Sequence, residues 1–278
     1  MLTHYKRFAR NSSAHLFNVR SLVMILQIVI VSIAFSQTEF EGDISGEWDT
    51  EGSPYIQVGE ANVPEDETLE ILPGVEVILL PESEIQINGL LTAVGTEEDT
   101  IRFHPSGGEF GGSMRLFSTE DTLNLEYCRF DSLEHVVWGH EEALFRISNC
   151  FLFDNYFLVR DNPLWAEITH SKIVCINQSA NFFSGRNDNV ENTQITLSDN
   201  WLQGRFHVTI QTGTAVMERN HIEEIIIDDR LWKVILNFSD CQRIICRDNQ
   251  NSGMNSRQMF VGLIEATIEN NYFPDEFI

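Results

Sequence analysis

The sequence predicts an all-β protein, a parallel β-helix, on three observations. A six-residue pattern recurs through the second half of the chain. One small or amide-bearing side chain holds the same place in each copy of that pattern. Before the repeats, residues 54–104 consist of short alternating strands divided by Pro, Gly and acidic turns. Together these features favour one repetitive domain of short stacked strands.

The N-terminal segment has the features of a secretory signal peptide. A basic region comes first, and the apolar stretch Leu22–Phe35 follows it without an acidic residue. Its 14 residues are too few for a transmembrane helix, which needs about 20. Ala34 and Ser36 supply the small residues of a cleavage site before Gln37. We therefore expect residues 1–36 to be a signal peptide and the mature protein to be secreted or at the cell surface, with an uncleaved signal anchor as the alternative.

The composition argues against one class of partner. The chain has 278 residues, with 18 Lys plus Arg against 42 Asp plus Glu and a formal net charge of −24. Because nucleic-acid phosphates need a basic surface, we expect no nucleic-acid partner. The same charge favours solubility or the binding of cations.

Acidic runs raise the question of calcium. They occur at Glu60–Glu70, Glu82–Glu84 and Glu97–Asp99, and none has the DxDxDG spacing of an EF-hand loop. A solvated acidic surface is the simpler interpretation, so no cofactor is expected, and calcium is the one cation that the charge would allow. The histidines are dispersed and no CxxC or HxxxH segment occurs, so no metal site is predicted.

The repeat is clearest from residue 125 onward. Its pattern is apolar, two variable residues, a small or amide-bearing residue, one variable residue, apolar. The copies read LEYCRF from Leu125, ISNCFL from Ile147, ITHSKI from Ile168, LSDNWL from Leu197, MERNHI from Met217, a degenerate FSDCQR from Phe238 and IENNYF from Ile268. Successive starts differ by 22, 21, 29, 20, 21 and 30 residues. A period of about 20–22 residues per coil suits a parallel β-helix, whose coils stack at about 4.8 Å.

The fourth position of the pattern predicts a structural ladder inside the coils. It holds Cys128, Cys150, Ser171, Asn200, Asn220, Cys241 and Asn271. Inward-facing amides, one per coil, can hydrogen-bond along the axis, and cysteine there acts as a small buried hydrophobe. We therefore interpret the ladder cysteines as free core thiols, although an exported chain with five cysteines leaves a disulfide or metal site as the alternative.

The residue after each ladder position is predicted to face outward. This row comprises Arg129, Phe151, Lys172, Trp201, His221, Gln242 and Tyr272. Aromatic faces stack on sugar rings and cations pair with acidic sugars, so the row predicts a surface that binds glycans. Its predicted ligand-binding residues are Phe151, Lys172, Trp201, His221 and Tyr272. Exposed aromatics that are merely scattered over a β surface are the alternative interpretation.

A longer stretch makes a likeness specific. The segments VPEDETLEILPGVEVIL and INGLLTAVGTEEDTIRF, followed by the ISNC, LSDN and IENN copies, resemble the exported right-handed β-helix repeat proteins of bacteria, in the pectin-lyase-like fold group. The resemblance covers about residues 50–278 and implies a single right-handed parallel β-helix solenoid. It implies no single activity, because the group includes polysaccharide lyases, glycoside hydrolases, adhesins and other surface proteins.

The predicted organisation follows from these segments. It comprises a signal peptide over 1–36, a lead-in over 37–53 and the β-helix over 54–278, with opening coils and cap over 54–113 and regular coils over 114–278. The opening strands are predicted at Leu69–Ile71, Val75–Leu80, Ile85–Ile87, Leu91–Val94 and Ile101–Phe103. Two polar insertions, 184–192 and 247–257, are predicted to be loops.

Candidates for catalysis are few. A hydrolase of the polygalacturonase type would need paired carboxylates with Gly-His-Gly and Arg-Ile-Lys segments, and here only the adjacent Asp228 and Asp229 resemble part of that set. We therefore favour a non-catalytic protein that acts in adhesion or polysaccharide binding. The alternatives are a carbohydrate-active enzyme, either a polysaccharide lyase or a glycoside hydrolase, and a structural spacer of a larger surface protein.

Overall fold

The computed structural model describes residues 37–107, 110–117, 122–139, 142–160, 163–184, 193–210, 213–223, 225–227, 230–232, 234–239, 241–251, 257–261 and 265–272. Across these ranges every regular element is a β-strand, so the predicted all-β class is confirmed. A helix long and apolar enough to cross a membrane is absent from these ranges. The signal peptide predicted over 1–36 lies outside them.

One sheet has ten strands that follow one another in chain order. They are β2 (Gly46–Trp48), β4 (Thr68–Ile71), β7 (Leu90–Val94), β10 (Thr122–Glu126), β13 (Leu144–Ser148), β16 (Trp165–Thr169), β18 (Gln194–Ser198), β20 (Thr214–Glu218), β25 (Arg243–Arg247) and β28 (Glu265–Glu269). Neighbouring strands are parallel throughout. Leu125, Ile147 and Ile168 are paired in register and buried, so the first apolar position of the repeat faces the core.

The second sheet contains two series of strands that β3 (Tyr55–Val63) connects. The first series comprises β5 (Glu76–Leu79), β8 (Ile101–Pro105), β11 (Cys128–Asp131), β14 (Phe151–Phe153), the beginnings of β17 (Lys172–Ser184) and β19 (Trp201–Ile210), β21 (His221–Glu223) and β26 (Gln250–Asn251). The second series comprises β6 (Glu84–Ile87), β9 (Gly111–Leu116), β12 (Leu133–Gly139), β15 (Phe157–Arg160), the ends of β17 and β19, β24 (Val234–Ser239) and β27 (Arg257–Val261). Pairing within both series is parallel, and a separate antiparallel hairpin joins β22 (Ile225–Ile227) to β23 (Arg230–Trp232).

A left-handed backbone residue marks the corner between the ten-stranded sheet and the first series. Seven such residues, with φ between 47° and 58°, are Tyr127, Asn149, His170, Asp199, Arg219, Asp248 and Asn270. Asn and Asp tolerate this conformation best, because their short polar side chains can bond locally. The same corner therefore recurs in seven successive repeats, just before β11, β14, β17, β19, β21 and β26 and, in the last repeat, before Tyr272.

The core consists of apolar side chains that alternate with outward residues along each strand, as half-buried strands require. Phe103 and Phe130 stack on each other in this core, with their ring centres 5.0 Å apart. All five cysteines are buried and none forms a disulfide. Burial of this continuous apolar interior is the main source of stability for the stacked repeats.

The lead-in predicted over 37–53 joins the sheets. Strand β1 (Thr38–Asp43) pairs in parallel with β3, and β2 pairs with β4. Trp48 stacks on Tyr55 with ring centres 4.2 Å apart, and Phe40 lies 4.8 Å from Trp48. These three rings are buried and close the core at its first strands. Residues Gln37–Ile278 belong to one compact unit.

The opening strands are confirmed within two residues at either end, as β4, β5, β6, β7 and β8. The boundary expected between residues 113 and 114 falls inside β9, so one strand runs across it. The loop predicted over 247–257 is wrong at both ends, because β25 extends to Arg247, β26 occupies Gln250–Asn251 and β27 begins at Arg257.

Candidate functional site

A chain of hydrogen bonds runs through the corners, at the residues that follow the left-handed positions. This corner ladder comprises Cys128, Cys150, Ser171, Asn200, Asn220, Asn249 and Asn271. The backbone N–H of each member donates to the side chain of the next, at 3.0–3.4 Å. The ladder therefore satisfies a buried backbone donor in each of six consecutive steps.

The asparagines of the ladder bond in two directions. Their Nδ2 groups donate to the first apolar residue of the preceding repeat: Asn200 to the Ile168 carbonyl, Asn220 to Leu197, Asn249 to Met217 and Asn271 to Cys246, all at 2.7–2.8 Å. Each asparagine thus satisfies one buried N–H and one buried C=O, which would each cost free energy if left unpaired.

Cys241 lies outside this ladder, so its predicted place there is wrong. Its Sγ donates to the Ile210 carbonyl at 3.3 Å, whereas the N–H of Asn220 donates to Asn249 at 3.0 Å. The copy of the pattern that forms the corner is CRDNQN from Cys246, eight residues beyond Phe238. With this start, the interval to the last copy becomes 22 residues, close to the basic period.

The outward residues after the ladder positions lie in register across the first series. Strand pairing joins, in order, Arg129, Phe151, Lys172, Trp201, His221, Gln250 and Tyr272, which we call the aromatic row. Gln242 was expected in this row, but Gln250 takes its place. The reason is that the copy of the pattern that forms this corner starts at Cys246 and not at Phe238. The five residues predicted to bind glycans all belong to the row.

Cations and rings alternate and touch within the row. The guanidinium carbon of Arg129 lies 5.0 Å from the ring centre of Phe151, and Lys172 Nζ lies 5.1 Å from that of Trp201. Trp201 meets His221 edge to face, with ring centres 5.0 Å apart. Trp201 remains 43% exposed even with Lys172 over its ring, so part of the indole is accessible to a ligand.

A depression of about 470 Å³ lies at the far end of the aromatic row. Its lining residues are His221, Asp248, Gln250, Asn251, Asn270 and Tyr272. Tyr272 is 66% exposed and offers a ring face, while the amides and the carboxylate offer hydrogen bonds. An exposed ring beside several polar groups is suited to one or two sugar units.

A buried serine–histidine pair lies in the second series. Ser113 Oγ and His135 Nδ1 are hydrogen-bonded at 2.7 Å, and the two residues are 4% and 2% exposed. Burial, with a smaller effect of the Arg160 charge, lowers the pKa of His135 to about 4. His135 Nε2 has no hydrogen-bond partner in the described part of the chain. The hydroxyl is thus enclosed rather than presented to a substrate, and the imidazole stays neutral at ordinary pH.

This histidine predicts a pH dependence of stability. Its folded pKa of about 4 lies below the ordinary 6.5, so between these values the unfolded chain takes up a proton that the folded chain excludes. The free energy of unfolding should therefore fall by about 3 kcal/mol as the pH drops from 6.5 to 4. Urea unfolding across this pH range measures the free energy of unfolding. The variant His135→Gln is the control, because it lacks the imidazole and should lose the part of the pH dependence that His135 causes. Equal pH slopes for the two proteins would contradict the prediction.

Three residues of the second series were not anticipated from the sequence. Arg115 pairs with Trp138, and Trp138 pairs with Arg160, on three successive strands. A signal was present, because Trp138 and Arg160 each follow a ladder cysteine by ten residues. A β-bulge lies between His135 and Trp138. It places the side chains of His135 and Trp138 on the same face of the strand, whereas strict alternation would place them on opposite faces.

Asp228 and Asp229 lie outside the described residues. Within the described ranges no group of three or more His, Cys, Asp or Glu residues could hold a metal ion. No protein-family model, curated protein or solved structure matches the chain.

Proposed function

We propose that the stacked repeats form a single right-handed parallel β-helix. From β10 onward, the repeats pass from the ten-stranded sheet through a left-handed corner to the first series and then to the second, with parallel pairing to their neighbours. Crossovers between parallel strands are right-handed in nearly all proteins. The resemblance of residues 50–278 to exported bacterial β-helix repeat proteins supports the same handedness.

The proposal includes export from a bacterial cytoplasm to the medium or the cell surface. The basic and apolar N-terminal segment supports it, as does the small-residue cleavage site before Gln37. The compact unit begins at that same residue. A net charge of −24 suits a protein that must stay soluble outside the cell.

The function that we propose is polysaccharide binding through the aromatic row. The observation that carries it is the register of that row: seven outward residues on adjacent strands, with rings at Phe151, Trp201 and Tyr272. Strands repeat at about 4.8 Å, so the rings form a linear track along the stacked repeats. A linear track of rings and polar groups fits an extended sugar chain better than a compact ligand.

Retention on immobilised polysaccharides tests this function. The exported protein should be retained on at least one neutral or acidic polysaccharide, and Trp201→Ala should weaken its binding about tenfold, because one stacking contact is lost. Trp165→Ala is the matched control: this tryptophan belongs to the ten-stranded sheet, away from the row. Circular dichroism would confirm that both variants are folded.

Two results would contradict the proposal. One is binding by Trp201→Ala that equals that of the unchanged protein. The other is the release of new reducing ends or unsaturated products from a polysaccharide, which would indicate an enzyme rather than a binding protein.

A further inference from the structure

Arg115, Trp138 and Arg160 form a second, half-buried cluster, on the second series of strands rather than on the aromatic row. We propose that this cluster, the arginine stack, binds the acidic groups of a linear polysaccharide. The inference rests on the proposed function only for the class of ligand, a polysaccharide. It involves different residues, and it requires a ligand that carries negative charge.

The two guanidinium groups are held on one indole ring. Their central carbons lie 4.3 Å (Arg115) and 4.1 Å (Arg160) from the ring centre of Trp138. Because the arginines come from the strands on either side of β12, the indole lies between them. Contacts this close are favourable cation–π interactions, and they fix two side chains that would otherwise be mobile.

Stacking leaves the arginines able to bind an anion. A guanidinium that lies flat on a ring keeps the N–H groups at its edge available, and these match a carboxylate in bidentate geometry. Arg115 Nη1 is 3.5 Å from Glu84 Oε2, at the limit of a hydrogen bond, so this carboxylate occupies little of its capacity. Because both guanidinium carbons lie this close to one ring centre, the two cations are no more than about 8 Å apart along the repeats. A chain that carries carboxylates at intervals can contact both.

The indole of Trp138 also packs against a buried residue of its own strand, His135. The ring centre of Trp138 lies 5.2 Å from that of buried His135, which stacks on Phe157 at 4.9 Å. The bulge in β12 brings His135 and Trp138 to the same face. The stack is therefore built on a packed layer and is preorganised for a ligand.

Two exposed rings just before β9 and β15, the strands that carry the arginines, favour a sugar polymer over a simple anion. Tyr156 packs edge to face on Phe157, with ring centres 4.6 Å apart, and Phe110 lies 6.4 Å from Tyr156. Phe110 and Tyr156 are 39% and 41% exposed. Their faces can stack on sugar rings while the arginines meet the acidic groups.

Binding titrations with three polymers test the inference: polygalacturonate, a sulfated dextran and neutral dextran. The exported protein should bind polygalacturonate, with binding that high salt weakens. Arg115→Gln combined with Arg160→Gln should weaken it at least about tenfold, because charged hydrogen bonds are lost. Arg146→Gln is the matched control, since Arg146 also faces a tryptophan, Trp165 at 5.7 Å, but is paired with Glu167 at 2.8 Å. Stronger binding of sulfated dextran would assign the site to sulfate rather than carboxylate groups and overturn the uronate form of the proposal.

The outcomes separate this inference from the proposed function. Trp201→Ala should reduce binding through the aromatic row, whereas the double arginine variant should lose only the salt-sensitive binding of acidic polymers. A folded double variant that binds polygalacturonate as tightly as the unchanged protein overturns the inference, as does an unchanged protein that binds neither acidic polymer. If the double variant does not fold, Trp138→Phe keeps a ring between the arginines and should lose the fluorescence change that polygalacturonate causes. The inference fails if the unchanged protein shows no such change or if Trp138→Phe retains it.

Discussion

Replacing Asn220 with alanine should lower the free energy of unfolding by about 3–5 kcal/mol, because it leaves several buried polar groups without partners. Asn220 Oδ1 accepts from the backbone N–H of Asn200 at 3.0 Å. Its Nδ2 donates to the Leu197 carbonyl at 2.8 Å and to Asn249 Oδ1 at 2.9 Å. Alanine removes all of these bonds at once. Urea unfolding followed by circular dichroism measures the loss.

Two variants make this measurement specific. Asn220→Ser should recover part of the loss, because Ser171 already accepts the Cys150 N–H at 3.1 Å in the same ladder. Gln250→Ala changes an exposed amide of the neighbouring repeat and should alter stability by no more than about 0.5 kcal/mol. If Asn220→Ala were as stable as Gln250→Ala, the hydrogen bonds of the ladder would not contribute measurably to the stability of the fold.

Asn249 adds a test of coupling along the ladder. Because its Oδ1 accepts from both the N–H and the Nδ2 of Asn220, the two side chains share a bond that either substitution breaks. The double variant with alanine at both positions should therefore lose less stability than the two single variants together. An additive result would mean that each corner is stabilised independently.

Much of the architecture could be predicted because it depends on patterns that repeat over short stretches of the sequence. Alternating apolar residues identify the opening strands, and the spacing of Cys128, Cys150 and Ser171 is regular enough to identify equivalent corners. The regular spacing ends after Asn220, where extra residues shift the next copy of the pattern to Cys246. A six-residue pattern is short, so the chance match at Phe238 could be rejected only by its 30-residue distance from the last copy.

The arginine stack shows why surface sites are harder to predict than ladders. The intervals from Arg115 to Trp138 and from Trp138 to Arg160 are 23 and 22 residues, so a bulge of one residue displaces the first step. Side-chain alternation alone would place His135 and Trp138 on opposite faces. A ladder position repeats because every repeat needs it, whereas a binding residue occurs once and leaves no period to detect.

The five cysteine thiols should resist alkylation in the folded protein and all react after unfolding. Burial raises the pKa of Cys246 to about 11 and also raises that of Cys128, so both are thiols rather than reactive thiolates near neutral pH. All five are buried, so a reagent reaches them only when the repeats open. Labelling at mildly alkaline pH should be at least about 100-fold slower than in denaturant.

Mass spectrometry after labelling without a reducing agent separates this prediction from its alternative. Five labelled cysteines in the denatured, unreduced chain are expected, because the folded chain contains no disulfide. Fewer labels, restored to five by reduction, would mean that a disulfide forms in the protein and that the thiols are not simply core residues. Rapid labelling of the folded chain at Cys128 or Cys150 would show that the ladder opens easily at its cysteine steps. These steps rest on weak sulfur bonds of 3.1–3.5 Å, whereas the asparagine steps rest on amide bonds of 2.7–3.1 Å. Opening should therefore be easier in the cysteine half of the ladder than in the asparagine half.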